Sequence, residues 1–155
     1  MRSIKVHLKE NSYQIIVGNH ILGRLGKSLK TLALGSDAVI ITNPLIAKLY
    51  GRTLISGLKN NGFSTRVFCV PDGEKSKSLE TAFDLLKKIA AYDTGRKIFL
   101  IAFGGGVVGD LAAFVASCYK RGVPYVQAPT SLLAQIDSAI GGKTAIDLPI
   151  GKNLV

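Results

Sequence analysis

The sequence predicts an α/β fold: a mostly parallel, Rossmann-like sheet with helices on both faces and an N-terminal antiparallel hairpin. Short apolar runs of strand type alternate with stretches of helical period along the chain. One run, Lys97 to Phe103, is apolar without polar alternation, as expected of a central parallel strand covered on both faces. A glycine cluster, Gly104 to Gly109, follows it at once, where a ligand-binding turn of such a fold belongs.

The elements follow in order. SIKVHL and YQIIVG read as two strands of a hairpin, with Asn11-Ser12 as turn chemistry between them. Ile21, Leu22, Leu25 and Leu29 mark one face of a short helix. Ala38 to Ile41 is a strand, after which Asn43 supplies an N-cap and Pro44 the first helical position. Leu45, Ile46, Leu49, Leu54 and Leu58 keep the helical period until Gly62. Phe63 to Val70 is the next strand and PDGEKSKS a polar loop. Ser78 then caps a helix whose stripe is Leu79, Ala82, Phe83, Leu86 and Ile89. After the glycine cluster come helix Val108 to Cys118, strand Val123 to Ala128 and helix Leu132 to Ile140. All crossovers should be right-handed.

Composition excludes several classes. The 155 residues, 47% apolar and 19% charged, suit one globular domain over 1–155. No apolar run reaches the ~20 residues of a membrane span, and MRSIKVHLKE lacks the apolar core of a signal peptide, so a cytoplasmic protein without membrane partners is expected. Cys69 and Cys118, one in a strand and one late in a helix, are expected to be buried, unreactive thiols. The net charge of +10 raises nucleic acid as a partner, but the basic residues between Arg2 and Arg66 are scattered, without runs or aromatic interleaving. A solvated surface is the simpler account, and no nucleic-acid partner is expected. The last residues, GKNLV, run into an apolar segment without a stop signal, which reads as a chain that continues.

Three constellations carry chemistry. In GGGVVGD, Gly104, Gly106 and Gly109 satisfy G-x-G-x-x-G, so a pyrophosphate could approach bare backbone and helix-start amides. A tight structural turn explains the same glycines, and Asp110 is equally readable as a favourable charge at a helix N-terminus. In PDGEKSK, Asp72-Gly73 makes a turn while Glu74, Lys75 and Lys77 bring charge to a strand's carboxyl end; a solvated loop has the same composition. In APTSLLAQIDSAIGGKTAI, Pro129-Thr130 begins a helix with a hydroxyl cap and Ser131 adds a second hydroxyl. Leu132, Ile136 and Ile140 form that helix's stripe. Asp137 at its edge is partly desolvated, either tied to a lysine or poised in a cleft. Gly142-Lys143-Thr144 is not a P-loop: the template requires glycine where Asp137 stands, and a helix rather than a strand precedes it. Gly151-Lys152-Asn153 delivers a second lysine and an amide.

These blocks together, GGGVVGDLAAF with YKRGVPYVQAPTSLLAQIDSAIGGKTAIDLPIGKNLV and the upstream PDGEKSKSLE, closely resemble the 3-dehydroquinate synthases, with the matching residues between Val70 and Val155. The resemblance implies an NAD-dependent enzyme that turns the sugar phosphate 3-deoxy-D-arabino-heptulosonate 7-phosphate into 3-dehydroquinate and phosphate, in the shikimate pathway. It implies that Asn43, Asp72, Gly73, Glu74, Lys75, Ser76 and Lys77 contribute to the cofactor site. Gly106, Val107, Val108, Gly109 and Asp110 join them, with Thr130, Ser131, Lys143 and Lys152. Asp137, Lys143 and Asn153 face the reacting carbocycle. Arg121 resembles an arginine that reaches into the neighbouring subunit's active site, which implies a homodimer. The divalent metal, zinc or cobalt, belongs to a C-terminal helical domain that this sequence lacks, so no metal ligand is assigned here and the fragment alone is expected to be inactive.

The match is not uniform. Many members carry Asn-His where this chain has Asp147-Leu148. Two other sugar phosphate cyclases, 2-deoxy-scyllo-inosose and epi-valiolone synthases, would share the fold and cofactor logic, though RGVP and LPIGKN favour dehydroquinate synthase. Iron-type alcohol and glycerol dehydrogenases use a related glycine turn without the QIDSAIGGKTAIDLPIGKN segment. A basic, noncatalytic binding module is the remaining class, distinguished by indifference to NAD and a steep salt dependence.

Overall fold

The computed structural model describes residues 1–155 apart from the side chain of Asn11. The hairpin is present: β1 (Arg2–Val6) pairs antiparallel with β2 (Tyr13–Val17) as a sheet of its own. Of the expected Asn11-Ser12 turn, Asn11 lies outside the described side chains. The Ser12 hydroxyl donates to the Lys9 carbonyl (2.7 Å) and accepts from the Leu8 amide (3.1 Å), so a serine side chain closes the connection.

After helix α1 (Leu25–Lys30), strands and helices alternate: β3 (Asp37–Thr42), α2 (Pro44–Lys59), β4 (Ser64–Cys69), α3 (Leu79–Tyr92), β5 (Ile98–Gly104), α4 (Gly106–Cys118) and β6 (Tyr125–Pro129). The four last strands form one parallel sheet in the order β4-β3-β5-β6. The two central strands are buried at every position, which is why neither shows polar alternation. Ala38, Ile40, Phe99, Ile101 and Phe103 pack with Leu29 of α1 and Leu54 and Leu58 of α2. The alternate residues Val39, Ile41, Leu100 and Ala102 pack with α3 and α4 on the opposite face. The chain steps outward from β3 to β4 over one face, then reverses over the other face to β5 and β6. Exchanging faces when the direction reverses is what a single crossover hand demands. Both local caps hold: Asn43 Oδ1 accepts from the Ile46 amide (2.8 Å) and Ser78 Oγ from the Thr81 amide (3.2 Å).

Several expected stripes are wider than the surface they bury. Leu45 and Leu49 of α2, and Leu79 and Phe83 of α3, are more than half exposed, because each helix touches the sheet along a narrower line than its apolar residues span. Leu85, outside the expected stripe, is buried. Beyond β6 the expected regular helix is a single α-turn leading into a π-helical segment, Ala134–Ser138, and Leu132, Leu133 and Ile136 point outward. Cys69 and Cys118 are both exposed, contrary to the buried thiols expected: β4 is an edge strand and Cys118 closes α4 on its outer side. No helix among the described residues is long and apolar enough to cross a membrane.

The first helical turns approach α2 without side chains between them. A methyl on Gly57 would stand 2.4 Å from the Gly23 carbonyl oxygen, and one on Gly26 would stand 2.3 Å from the Gly57 carbonyl oxygen. Helix propensity alone favours alanine over glycine by ~1 kcal/mol. Gly57→Ala is nonetheless expected to destabilise by ~2 kcal/mol, since backbone cannot yield as a side chain can, and to lower Tm by about 4–8 °C. A melting temperature at or above the parent's would show that α1 moves aside freely.

Candidate cofactor and substrate site

All four parallel strands end at one edge, and the segments that follow them lie along it. β3 and β5 are neighbours whose connections leave to opposite faces, the switch point where open α/β sheets form a crevice. Asn43 stands at the end of β3. Its side chain caps α2 and its Nδ2 donates to Asp72 Oδ1 (2.9 Å), so it also orients the loop after β4. In that loop Gly73 takes φ +92°, a backbone closed to most side chains, and Glu74–Ser76 forms a short turn. The Ser76 side chain is buried and its hydroxyl donates to the Pro71 carbonyl, so it shapes the loop from inside. Glu74 is partly exposed, with Lys152 Nζ 4.0 Å from Oε1.

Lys77 is the surprise of this loop. It is 3% exposed, and its ammonium pairs with Asp110 Oδ2 (2.9 Å) and donates to Asn153 Oδ1. A solvated loop is therefore excluded for this residue, and Asp110 is engaged by a buried cation besides lying near a helix start. The other oxygen, Asp110 Oδ1, is buried and without a hydrogen-bond partner among the described residues. Such an acceptor is costly unless something donates to it.

The glycines divide by cause. A methyl at Gly104 would lie 2.7 Å from Val108 Cβ, so packing requires glycine there; one at Gly109 would lie 3.0 Å from Gln127 Oε1, a tight contact at the end of a flexible side chain. At Gly105 and Gly106 a methyl would meet nothing closer than 3.7 Å and 3.4 Å, so the fold itself leaves those positions bare. They begin α4, whose N-cap Gly105 offers no side chain to the first amides. A helix start with unclaimed donors, bare backbone and a partnerless carboxylate oxygen close by suits a phosphate and a hydroxylated sugar. Val107 is partly exposed, whereas the Val108 side chain is in the core and leaves only its backbone for the site.

After β6 the cap expected at Thr130 falls one residue later. Ser131 Oγ accepts from the Ala134 amide (3.2 Å), while the Thr130 amide is held by the Gly104 carbonyl (2.9 Å). Asp137 is not desolvated: its side chain is 53% exposed and paired with Lys143, because the segment that carries it packs one turn and no more. Of the two readings left open for it, the lysine partner is the one realised. The chain then returns to the loop after β4. The Asp147 amide donates to the Lys77 carbonyl (2.7 Å), and Asp147 Oδ1 accepts from the Asn153 amide (2.8 Å). A tight turn, closed by the reciprocal bonds of Leu148 and Gly151, delivers Lys152 and Asn153, with Asn153 at φ +55°. Sequence reasoning missed Asp147 as the residue pinning this turn; a carboxylate six positions before the asparagine is its only local signal.

Arg121 is not part of this cluster. It follows the far end of α4, whose 13 residues from Gly106 make ~20 Å of helix. Lys120 (φ +48°) and Arg121 (φ +64°) are both left-handed, and Gly122 follows at φ +119°. For residues other than glycine this conformation costs about 1–2 kcal/mol each. Asp93, at the end of α3, faces the turn: its fully buried carboxylate Oδ2 accepts from Tyr119 OH (3.0 Å) and Lys120 Nζ (2.6 Å). Burial alone would raise the Asp93 carboxyl, but the Lys120 and Tyr119 bonds, the Lys120 charge and the Arg96 backbone amide together outweigh it and hold it below its ordinary value. Burial, and then the Asp93 bond, push the Tyr119 phenol up to about 12. Nothing local in the sequence singles out Asp93 either. Among the described residues no three metal-ligating side chains stand together.

The family model described as 3-dehydroquinate synthase N-terminal matches residues 67–155, more than half of the chain. Among curated proteins the whole chain is 46% identical over 155 residues to a 3-dehydroquinate synthase of Clostridium kluyveri and 43% identical to one of Thermodesulfovibrio yellowstonii. It spans 43% of the length of each. Among solved structures it resembles a 2-deoxy-scyllo-inosose synthase complexed with carbaglucose-6-phosphate, NAD+ and Co2+ (TM-score 0.87, 23% identity, 99% of this chain and 42% of that one). It also resembles the 2-epi-5-epi-valiolone synthase of Streptomyces hygroscopicus subsp. jinggangensis 5008, with NAD+ and Zn2+ bound (TM-score 0.80, 30% identity, 97% and 41%). The first of these likenesses speaks to fold alone, whereas the family match covers the glycine loop, the Asp137 segment and the Lys152 turn. The chain belongs to the 3-dehydroquinate synthase N-terminal family.

Proposed function

We propose that this chain is the NAD-binding part of a 3-dehydroquinate synthase, acting on 3-deoxy-D-arabino-heptulosonate 7-phosphate together with a further, metal-holding part like that of its longer relatives. The observation that carries the cofactor half is the pairing of an uncapped, side-chain-free helix start at Gly105-Gly106 with the partnerless Asp110 Oδ1. The first α4 amides would take the pyrophosphate and Asp110 a ribose hydroxyl, with Lys77 holding the Asp110 side chain in place. Asp72, oriented by Asn43, would take a second ribose hydroxyl. When bound, NAD supplies a hydride acceptor for a secondary alcohol of the substrate and gives the hydride back within the same turnover.

The protein's own contribution is charge placed for an anionic substrate. Lys143 and Lys152 carry their ammonium groups on loops at the same edge as Asn153, suited to a substrate's carboxylate and phosphate. Asn153 presents an amide whose oxygen is already satisfied by Lys77, so its remaining donors are free for hydroxyls. Asp137, paired with Lys143, would direct its ammonium. Arg121, some 20 Å from the glycine loop along α4, would serve the site of a second copy in a homodimer.

The test is turnover by the complete protein: NAD and 3-deoxy-D-arabino-heptulosonate 7-phosphate should yield 3-dehydroquinate and inorganic phosphate one for one. Phosphate release only from a different sugar phosphate would transfer the protein to another cyclase. A second expected result concerns metal. Loaded with one equivalent of zinc and desalted, the complete protein should keep the metal and the 155-residue chain should lose it, since a catalytic zinc needs three converging ligands. Stoichiometric zinc on the short chain would put the metal in the wrong half.

A further inference from the structure

The turn Tyr119–Gly122 is built at a cost that linking α4 to β6 does not require. Glycine at 120 or 121 would adopt the left-handed backbone without strain, and asparagine with less, yet the sequence places lysine and arginine there. What opposes the strain is a carboxylate from another helix. The Asp93 side chain is wholly buried, and both donors on its Oδ2 come from this one turn, Tyr119 OH and Lys120 Nζ. Two backbone bonds complete the hold, from the Gly122 amide to the Tyr119 carbonyl (2.9 Å) and from the Val123 amide to the Ala116 carbonyl (2.9 Å). The residue between the clamped positions is Arg121, exposed and, among the described residues, without any side-chain hydrogen bond or ion pair. Strained backbone persists only where the surroundings over-determine it, and here Asp93 and the two backbone bonds do so.

We propose that Asp93 is a positioning residue: through Tyr119 and Lys120 it fixes the left-handed turn that projects Arg121, as a pre-set cation, into the substrate site of a second copy of the chain. This rests on the reading of Arg121 given above and adds to it the device that aims the side chain. An arginine held by a rigid backbone loses less freedom on meeting an anion than one on a mobile loop. Tyr119 keeps its proton far above neutral pH, so its donation to Asp93 persists wherever the enzyme would work.

The experiment uses the complete synthase and compares Asp93→Asn with Arg121→Ala, each alone and each mixed with subunits carrying Lys143→Ala. Alone, Asp93→Asn is expected to lower kcat by about 10- to 100-fold while NAD affinity stays within about twofold, as for Arg121→Ala. After subunit exchange with Lys143→Ala, both are expected to regain about a quarter of wild-type activity per subunit, because half the dimers are mixed and each assembles one intact site. A merely structural defect in the Asp93→Asn subunit would cripple the site that subunit itself houses, and mixing would restore nothing.

Recovery with Arg121→Ala but not with Asp93→Asn therefore overturns the positioning role alone. No recovery with either, exchange being verified by mass-tagged subunits, overturns the reading of Arg121 and the proposal with it. Undiminished turnover of Asp93→Asn overturns the proposal directly. Should Asp93→Asn fail to fold, Tyr119→Phe removes one donor and leaves the Lys120 bond. It is expected to give about a 3- to 10-fold loss with the same recovery on mixing; wild-type kcat would overturn the proposal.

Discussion

Lys77→Met is expected to destabilise the protein by about 3–5 kcal/mol, the cost of leaving one member of a buried ion pair without its partner. Lys77 and Asp110 have side chains 4% and 16% exposed, so neither can turn to water when the other is lost. Asp110 would then have no partner on either oxygen, and Asn153 Oδ1 would lose its donor as well. At about 2–4 °C per kcal/mol for a chain of this size, Tm should fall by some 6–20 °C. The measurement is a urea or thermal denaturation of the variant beside Lys77→Met/Asp110→Leu. The double variant should recover most of the loss, since removing both charges removes the desolvation cost. Equal loss in the two would show that packing, not charge, is what Lys77 provides.

Lys143→Ala is expected to cut turnover of the complete synthase by at least about 100-fold with NAD saturating, because the lost ammonium would bind charge on the reacting substrate. Asp110→Asn should behave differently. It keeps the shape of the side chain and a hydrogen-bonding oxygen for Lys77 but loses the charge, so beside a loss of stability from the uncompensated Lys77 its kinetic effect should be weaker NAD binding, seen as a raised KM for NAD. Steady-state kinetics with both reactants varied separate the two. Normal turnover of Lys143→Ala would remove this lysine, and the Asp137 that directs it, from the substrate side of the site.

The contrast between those two residues also shows what was legible in the sequence. Local patterns were read well: the caps at Asn43 and Ser78 involve atoms three residues apart, and the unbroken apolar run of β5 reports burial on both faces. Patterns that depend on what lies across the molecule were not. PDGEKSK has the composition of a solvated loop, and nothing within it reveals that Lys77 will be covered by residues 33 and 76 positions away. The stripes of α2 and α3 overestimated burial for the same reason, since Leu45 and Phe83 obey the helical period but find no opposing element. Asp93 reads as an ordinary helix terminus until the end of α4 is folded against it. Which glycines the packing requires is likewise a three-dimensional fact: Gly104 and Gly105 are adjacent, and only the first has Val108 behind it.

The joint between Lys77 and the Asp147–Asn153 turn bears on how the cleft opens. Lys77 and Asn153 are 76 positions apart, and closing an unstructured loop of that length costs about 4 kcal/mol before any contact repays it. Lys77 meets Asp110 within the β4-α3-β5-α4 framework, so that pair can be secured early, with the returning segment docking last. The segment is anchored to the core by the fully buried Ile146 and to the buried Lys77 by the Asp147 amide and Asn153 Oδ1, so local opening would begin at its outer turn, residues 148–152, rather than at its root. The amides of Leu148 and Gly151 should then exchange with solvent well ahead of those of β3 and β5. The two walls of the crevice thus differ in kind: the glycine loop follows directly from a central strand, while the turn bearing Lys152 and Asn153 hangs on one buried cation, Lys77, which it shares with Asp110.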